Sequence, residues 1–351
     1  MANGLLLVGS IPRDTVEDVF TEFGGRLGPH LASLPDGEVG PRSHWISRVH
    51  YQVLANHSQI DVVQTPSLVD GVERLFPQGA GDSWKFRVKD GVDIVRFSDP
   101  GWRLGYARDA VNSYFVFKTL REKGAIADHL RFQVSMPSVI SALPPRLFPN
   151  PADIEKVRTG YRQALATELG TIIDRIPAED LALQWDCSTE MQDSYGAVPG
   201  CETNEDTIER NLGQFRALSP LVPEGALLGY HLCYGTLGGW PRFEPDDLSG
   251  AVKMANGIIG ASGRRVDWVH IPLLDRTDDA FYAPLKDLKP EGARVYLGMI
   301  HNMDSFDARM AAASKFLPDF GLAAYCGMGR VPPPRLSGVL DDHLRAVGRQ
   351  R

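Results

Sequence analysis

The sequence places a histidine and a cysteine two positions apart, His231 and Cys233, within an apolar run typical of a β-strand. This spacing points both side chains to the same face of a strand, so an imidazole and a thiolate can reach one metal ion. A lone H-x-C pair more often belongs to a packed core, but Cys326 ends a second apolar run and favours the metal interpretation. Two thiolates and one imidazole suit the tetrahedral preference of zinc and leave one position for another ligand or a substrate.

Other polar residues follow predicted strands in the same way. Glu38 and Asp186 stand beside small residues and predict a site for a cation or an amine, with capping of a following helix as the alternative. Backbone donors near Ser10 could bind a carboxylate or simply cap the next helix. Arg42 adds a charge that could handle protons or substrate, and His301 is either an acid–base group or a hydrogen-bonded core residue.

The elements that must position these residues alternate between short β-rich runs and helical patterns. The clearest helix is predicted over residues 152–175, with Pro151 in its first turn, and two others over 202–218 and 306–316. Eight strands are predicted, over residues 5–8, 31–34, 132–136, 181–186, 226–233, 266–272, 295–301 and 322–326. Strands separated by helices imply parallel crossovers, and eight such units favour an α/β fold of the (βα)8 TIM-barrel type. In such a barrel the functional side chains lie at the carboxyl ends of the strands.

We expect a single domain over residues 1–351, with two departures from the barrel rhythm. Residues 47–123 form an insertion, or lid, after the second strand, and Asp90-Gly91 predicts a hairpin between strands at 84–88 and 92–97. Residues 331–351, opened by three prolines, predict a rigid turn and a C-terminal tail helix.

Two cysteines and a group of aromatic residues are predicted to be structural. Cys187 follows the inward-facing Asp186 and should point into the barrel wall, and Cys201 lies in a Gly-rich loop. The aromatic residues of the insertion are more typical of a satellite core than of a substrate clamp, although an apolar or aromatic substrate is conceivable. They are Trp84, Phe86, Phe97, Trp102, Tyr106, Tyr114 and Phe115.

Composition and charge narrow the class of protein. The chain has 351 residues, of which 43% are hydrophobic and 23% charged, and its formal net charge is −7. This charge disfavours broad binding of nucleic acid or of anionic membrane. No apolar stretch approaches the roughly 18 residues of a membrane helix, and no basic residue precedes the first apolar run as in a secretory signal. We expect a cytoplasmic protein that acts on a small molecule.

The chain resembles the catalytic barrel of cobalamin-independent methionine synthase, in the superfamily that includes uroporphyrinogen decarboxylase-like barrels. Seven short motifs carry the resemblance and keep the family's order. They are VGSIP at 8–12, GE at 37–38, SMPSV at 135–139, LQWD at 183–186, HLCY at 231–234, MIHN at 299–302 and CG at 326–327.

The resemblance implies a zinc-dependent enzyme that transfers a methyl group from a folate-type or other methyl donor to a zinc-bound thiol. His231, Cys233 and Cys326 match three zinc ligands of the family. By the same resemblance, Ser10, Glu38 and Asp186 match positions that hold the amino-acid substrate, and His301 matches a proposed proton donor to the leaving folate, with a tetrahydrofolate derivative as co-substrate.

The sequence also departs from the family. Where the family has a zinc-binding Glu after the sixth strand, residues 269–275 read VHIPLLD, so His270, Asp275 or a water is the candidate fourth ligand. The duplicated N-terminal barrel of the long methionine synthases is missing, which makes this a divergent single-barrel member. Two other functions stay open. One is a lyase, decarboxylase or demethylase acting on a small carboxylate through rim residues such as Asp186, Arg42 and His301, and the other is a non-catalytic ligand-binding barrel.

Overall fold

The computed structural model describes residues 4–97, 104–199, 201, 203–204 and 206–349. The β-strands in these residues are β1 (Leu5–Leu6), β2 (Ser33–Pro35), β3 (Ile60–Gln64), β4 (Lys85–Val88), β5 (Arg131–Pro137), β6 (Leu181–Cys187), β7 (Leu227–Leu232), β8 (Trp268–Pro272), β9 (Arg294–Gly298) and β10 (Gly321–Ala323). The α-helices are α1 (Val16–Val19), α2 (Gly25–Leu27), α3 (Arg48–Gln52), α4 (Tyr106–Glu122), α5 (Val139–Ala142), α6 (Pro151–Arg175), α7 (Thr189–Ser194), α8 (Thr207–Leu218), α9 (Ser249–Ala261), α10 (Asp279–Tyr282), α11 (Phe306–Ser314) and α12 (Leu336–Arg349).

Eight of the described strands form one parallel sheet, in the order β1-β10-β9-β8-β7-β6-β5-β2. The sheet closes where Leu5, in β1, forms a single parallel bridge with Leu31, just before β2. Each of the eight predicted strand segments overlaps one strand of this sheet. The predicted (βα)8 barrel is therefore confirmed.

The long helix α6 illustrates how the sequence sets an element. The Asn150 side chain accepts a hydrogen bond from the Ala152 N–H at 3.1 Å, and Pro151 occupies the first turn, where its missing N–H costs nothing. The apolar residues that recur with helical spacing along α6 and at its C-terminal end are buried, and they are Ile154, Val157, Tyr161, Leu165, Leu169, Ile172 and Ile176.

Two other helices differ slightly from their predicted ranges. Helix α8 begins at Thr207, and the predicted start at residue 202 lies outside the described residues. Helix α11 ends at Ser314, two residues before the predicted end at 316. At the C-terminus, a 3₁₀ turn at Pro333–Arg335 leads into α12, as the three prolines predict.

The predicted hairpin around Asp90-Gly91 is wrong in its pairing. Strand β4 pairs antiparallel with β3, which lies upstream of it, and Gly91 forms a turn with a φ of 79°. The chain after this turn runs over α6, where the Val95 N–H donates to the Lys156 carbonyl at 3.2 Å. Burial of Val95 against the helix thus replaces the expected second strand at 92–97.

Most aromatic side chains of the insertion are buried in a core that is continuous with that of the barrel, so the predicted satellite core is not separate. Those that are buried are Trp84, Phe86, Phe97, Tyr106 and Tyr114. Phe115 is 73% exposed, and Trp102 lies outside the described residues. The Tyr106 hydroxyl bonds to the Tyr161 hydroxyl of α6 at 2.9 Å, which ties this core to the barrel helices. The role of residues 47–123 as a lid stays a prediction.

The strand register sets up the site. Asp186 in β6 pairs with His231 in β7, and His231 pairs with His270 in β8, so the three residues form one row across adjacent strands. No described helix has the length and apolar character needed to cross a membrane.

Candidate metal centre

Three ligand-capable side chains converge where β7 and β10 end. The imidazole of His231 and the thiols of Cys233 and Cys326 have their ligand atoms within 4.8 Å of one another. The two Sγ atoms lie 3.4 Å apart, and the Cys326 Sγ lies 3.6 Å from the His231 Nε2. Tetrahedral zinc with ordinary bond lengths separates two sulfur ligands by about 3.8 Å and a sulfur from a nitrogen by about 3.6 Å. The donor set therefore fits zinc, with the Cys326–His231 separation as expected and the two sulfur atoms about 0.4 Å closer than in tetrahedral zinc.

A chain of hydrogen bonds fixes the tautomer of His231. The Nε2 of His270 lies 3.0 Å from the Ala324 carbonyl, which can only accept, so this nitrogen carries the proton. The Nδ1 of His270 then accepts, and the Nδ1–H of His231 donates to it at 2.8 Å. The Nε2 of His231 is therefore unprotonated, and it is this nitrogen that faces Cys326.

Burial keeps both histidines neutral. It lowers the pKa of His231 well below its usual range, and the nearby His270 adds to this effect. Burial also lowers the pKa of His270 to about 4. Neutral imidazole is the form that binds metal ions.

Without a cation, the surroundings of Cys326 favour the protonated thiol. The hydrogen bond from Cys233 and burial together raise the pKa of Cys326 well above its usual range. A cation among the three ligand atoms would reverse this preference, because it stabilises thiolates directly.

The sequence predicts His270 or Asp275 as a fourth ligand, and the structure gives each of them another partner. Both ring nitrogens of His270 are used in the chain described above, so it orients His231 and has no lone pair left for a metal. The carboxylate of Asp275 accepts from Asn302 and Ser305 and lies 3.6 Å from Arg309. Neither belongs to the group of three ligand atoms found among the described residues.

Two carboxyl groups, those of Glu38 and Asp186, line the cavity that also contains His231, Cys233 and Cys326. Glu38 is buried after β2, and its Oε2 accepts a hydrogen bond from the Ser10 hydroxyl. Burial raises the pKa of Glu38 to about 8, although the Ser10 hydrogen bond opposes this. Burial, followed by the charge of Glu38, raises the pKa of Asp186 well above its usual range. The pair therefore keeps at least one proton at neutral pH.

Gly9 makes room for the Glu38 side chain. A Cβ at position 9 would lie 2.9 Å from the Glu38 Oε1 and 3.3 Å from the Ser135 hydroxyl oxygen. The glycine in the motif at 8–12 thus has a packing reason in addition to its place in a turn.

Two predicted site residues, Arg42 and His301, are not among the three candidate metal ligands. Arg42 pairs with Asp36 at 2.5 Å in a small neighbouring cavity that Glu38 also lines. His301 donates from Nε2 to the Leu273 carbonyl at 2.9 Å, and Arg309 donates to its Nδ1 at 2.9 Å. Burial and the charge of Arg309 lower the pKa of His301 to about 4.

The cysteines predicted to be structural are separate from the cluster. Cys187 is fully buried, with its thiol 3.8 Å from the Trp185 carbonyl. Cys201 is half-buried and lines a different cavity, beside Asp193 and Arg210.

A cavity of about 140 Å³ is lined both by the three candidate ligand side chains and by the two carboxyl groups. The predicted site residues that line it are Ser10, Glu38, Asp186, His231, Cys233 and Cys326. Its volume is close to that of an engineered cavity that binds benzene, so it suits a molecule of small amino-acid size. Sequence reasoning missed Arg146 and Arg242, which also line it, because neither belongs to a recognisable motif.

Comparison with known proteins supports the fold. No protein-family model and no curated protein sequence matches the chain. A B12-independent methionine synthase from Shewanella sp. W3-18-1, solved in complex with selenomethionine, is 12% identical, with a TM-score of 0.61 over 100% of this chain and 99% of that one. A protein from Listeria monocytogenes, provisionally named a vitamin-B12 independent methionine synthase, is 14% identical, with a TM-score of 0.50 over 98% of this chain and 96% of that one. The resemblance inferred from the seven motifs is thus confirmed for the fold, which this chain shares with proteins of the B12-independent methionine synthase type.

Proposed function

We propose that this chain is a zinc-dependent enzyme that transfers a methyl group from a folate-type or other methyl donor to a thiol substrate. One observation carries the proposal: the unprotonated Nε2 of His231 faces two thiols in a cavity that also presents Glu38 and Asp186. The likeness of the whole fold to B12-independent methionine synthases supports the same chemistry.

In this proposal His231, Cys233 and Cys326 hold the ion, and His270 keeps His231 in the binding tautomer. A bound zinc ion would lower the pKa of a substrate thiol and hold its sulfur in place for attack on the methyl carbon. The fourth position belongs to the substrate, since no fourth side chain joins the group among the described residues.

The carboxyl pair handles the substrate amine and the proton. An ammonium group beside Glu38 would favour the ionised form of this carboxyl and would be held there as a salt bridge, which leaves Asp186 to hold the proton. When the methyl carbon leaves the donor nitrogen for sulfur, that nitrogen needs a proton, and the pair holds one at neutral pH. We therefore assign the proton-donor role to the pair, with Asp186 as the donor. The sequence predicts His301 as the acid or base, and this role is less well supported, because the pKa of His301 is lowered and both of its nitrogens are hydrogen-bonded.

Zinc content is the direct test. Purified protein should contain about one zinc per chain, and Cys233→Ser and Cys326→Ser should each lose most of it. Cys201→Ser is the matched control, because its thiol lies in another cavity, and it should keep its zinc. Well under one zinc per wild-type chain would end the metal part of the proposal.

Turnover is measured separately by following the methyl group. Wild-type protein is incubated with each of a panel of amino-acid thiols and with methyltetrahydrofolate or another methyl donor. The amount of thioether formed should equal the amount of donor consumed. Asp186→Asn should lower kcat and leave the zinc content unchanged. Ligand-induced stabilisation without turnover across the panel would instead identify a non-catalytic binding barrel.

A lyase, decarboxylase or demethylase on the same barrel is the second candidate. The raised pKa values of Glu38 and Asp186 favour it, because a proton held on a buried carboxyl can serve such chemistry without a methyl donor. Consumption of a methyl donor in proportion to product would exclude this candidate.

A further inference from the structure

The cavity that holds the metal cluster also carries arginines that lack acidic partners. Arg146, Arg242 and Arg330 line it, and none of them forms an ion pair within the described residues. The Nε of Arg146 donates to the Ser83 hydroxyl at 3.3 Å, and Arg330 donates to the Thr236 hydroxyl. These neutral partners leave the positive charges uncompensated.

The positive charges of Arg146 and Arg242 repel each other. Burial, followed by the charge of Arg242, lowers the pKa of Arg146 to about 10. Burial also lowers the pKa of Arg242. Cations held near one another in a partly dry cavity are costly unless an anion joins them.

A second, outer cavity continues this positive surface. It measures about 470 Å³ and shares His44, Ser47, Thr236, Leu237 and Arg330 with the inner cavity. Arg74 lies in its wall, and no Asp or Glu is among its described lining residues. This concentration of positive charge contrasts with the formal net charge of −7 for the whole chain.

The two cavities differ in volume, and together they offer room for two reactants. The inner cavity of about 140 Å³ suits a molecule of amino-acid size, so a second reactant that reaches Arg146 and Arg242 there must extend into the outer cavity. Arg330 lines both cavities, and this second reactant would pass it.

We propose that Arg146, Arg242 and Arg330, with Arg74 at the outer rim, bind an anionic group of the second substrate, either carboxylate or phosphate. Guanidinium groups suit both anions, because their planar N–H donors match two oxygens at once. The identification of this ligand as the second substrate rests on the proposed function, which places the thiol at the metal cluster. The anion site itself can be tested without turnover.

The test uses isothermal titration calorimetry on the purified full chain with two probes, glutarate for carboxylates and pyrophosphate for phosphates. Binding of either probe supports the site, and the tighter one identifies the anion class. Glutaramide, the neutral diamide of the same shape as glutarate, should not bind. Arg242→Gln and Arg330→Gln should each weaken binding by about tenfold, as expected for the loss of one charged hydrogen bond.

Arg216→Gln is the matched control, because it removes the same charge from an exposed pair with Glu209 and should leave binding unchanged. Because Arg330 is exposed, the Arg330→Gln variant is expected to fold, even if replacement of the partly buried Arg146 prevents folding. Unchanged affinity in both Arg242→Gln and Arg330→Gln, equal binding of glutaramide, or no binding of either probe would overturn the site. Zinc measured on the same samples separates the two proposals, since loss of anion binding at constant zinc concerns only the arginines.

Discussion

His231 and His301 both lie at the carboxyl side of strands in the same barrel, and their hydrogen bonds give them opposite chemistry. His231 donates through Nδ1 to His270 and keeps Nε2 free beside two thiols. His301 donates through Nε2 to Leu273 and accepts through Nδ1 from Arg309, so no nitrogen is left over. A strand-end histidine can bind a metal only when its surroundings leave one lone pair unused, and this condition separates His231 from His301.

The largest expected effect separates the two histidines directly. His231→Ala should weaken zinc binding by more than about 100-fold, beyond the loss typical of a residue that only orients a ligand. His301→Ala should leave zinc affinity unchanged. Competition with a chelator of known affinity measures both, and equal losses in the two variants would refute the assignment.

The next effect tests the partner that sets the tautomer. His270→Ala should weaken zinc binding by about 10- to 100-fold, because His231 loses the acceptor that fixes its Nδ1 proton. His343→Ala is the control for removing a buried histidine, since its Nδ1 bonds to Val339 within α12. It should lower the melting temperature without changing zinc affinity. If both variants lost zinc alike, general destabilisation would explain the result.

A smaller effect is expected from the packing around His270. A Cβ at Gly298 would lie 2.8 Å from the His270 Nε2 and 2.9 Å from the Tyr325 Cα. Gly298→Ala should therefore lower the free energy of unfolding by roughly 1–3 kcal/mol and weaken zinc binding less than His270→Ala does. Gly213→Ala, in α8 with no atom within 4 Å of the new Cβ, should be neutral or slightly stabilising in the same denaturant titration. Unchanged stability of Gly298→Ala would show that the barrel yields freely at this point.

The last expected effect is a dependence of stability on pH. The pKa of His301 falls from 6.5 to about 4 on folding, so the unfolded chain takes up a proton first as the pH drops. The contribution of neutral His301 to stability is full above pH 6.5 and is lost as the pH falls towards 4. His301→Gln should therefore lose less of its melting temperature than wild type between pH 7 and pH 4. Parallel curves for the two proteins would mean that His301 titrates normally in the folded state.

Much of the fold is predictable from the sequence because the barrel repeats one local pattern. Apolar runs such as 181–186 and long amphipathic helices such as α6 depend on periodicity, which local residues determine. The hairpin around Asp90-Gly91 fails because the turn signal is local, whereas the partner of β4 is chosen by tertiary packing. Segment 92–97 packs against α6, where Val95 is buried, and does not pair with β4.

The site is predictable in its residue types and less so in their roles. His231, Cys233 and Cys326 are identified by spacing and strand ends, and the structure brings them together. The roles of His270 and His301 depend on the carbonyls of Ala324 and Leu273, which lie 54 and 28 residues away in the chain. The arginines of the anion site are missed because their significance lies in an absence of acidic neighbours, which only the folded chain reveals.

The sheet closes through a single bridge between β1 and the residue before β2, and Glu38 lies next to this closure. The single bridge from Leu5 to Leu31 is supported above by loop hydrogen bonds, from the Ile11 N–H to the Gly37 carbonyl at 2.8 Å and from Ser10 to Glu38. The Met328 N–H also donates to the Ser10 carbonyl at 2.7 Å, which links the loop after β10 to the same place. A ligand that takes the Ser10 hydrogen bond away from Glu38 would remove one of the hydrogen bonds that join the loops after β1 and β2, next to the place where the sheet closes.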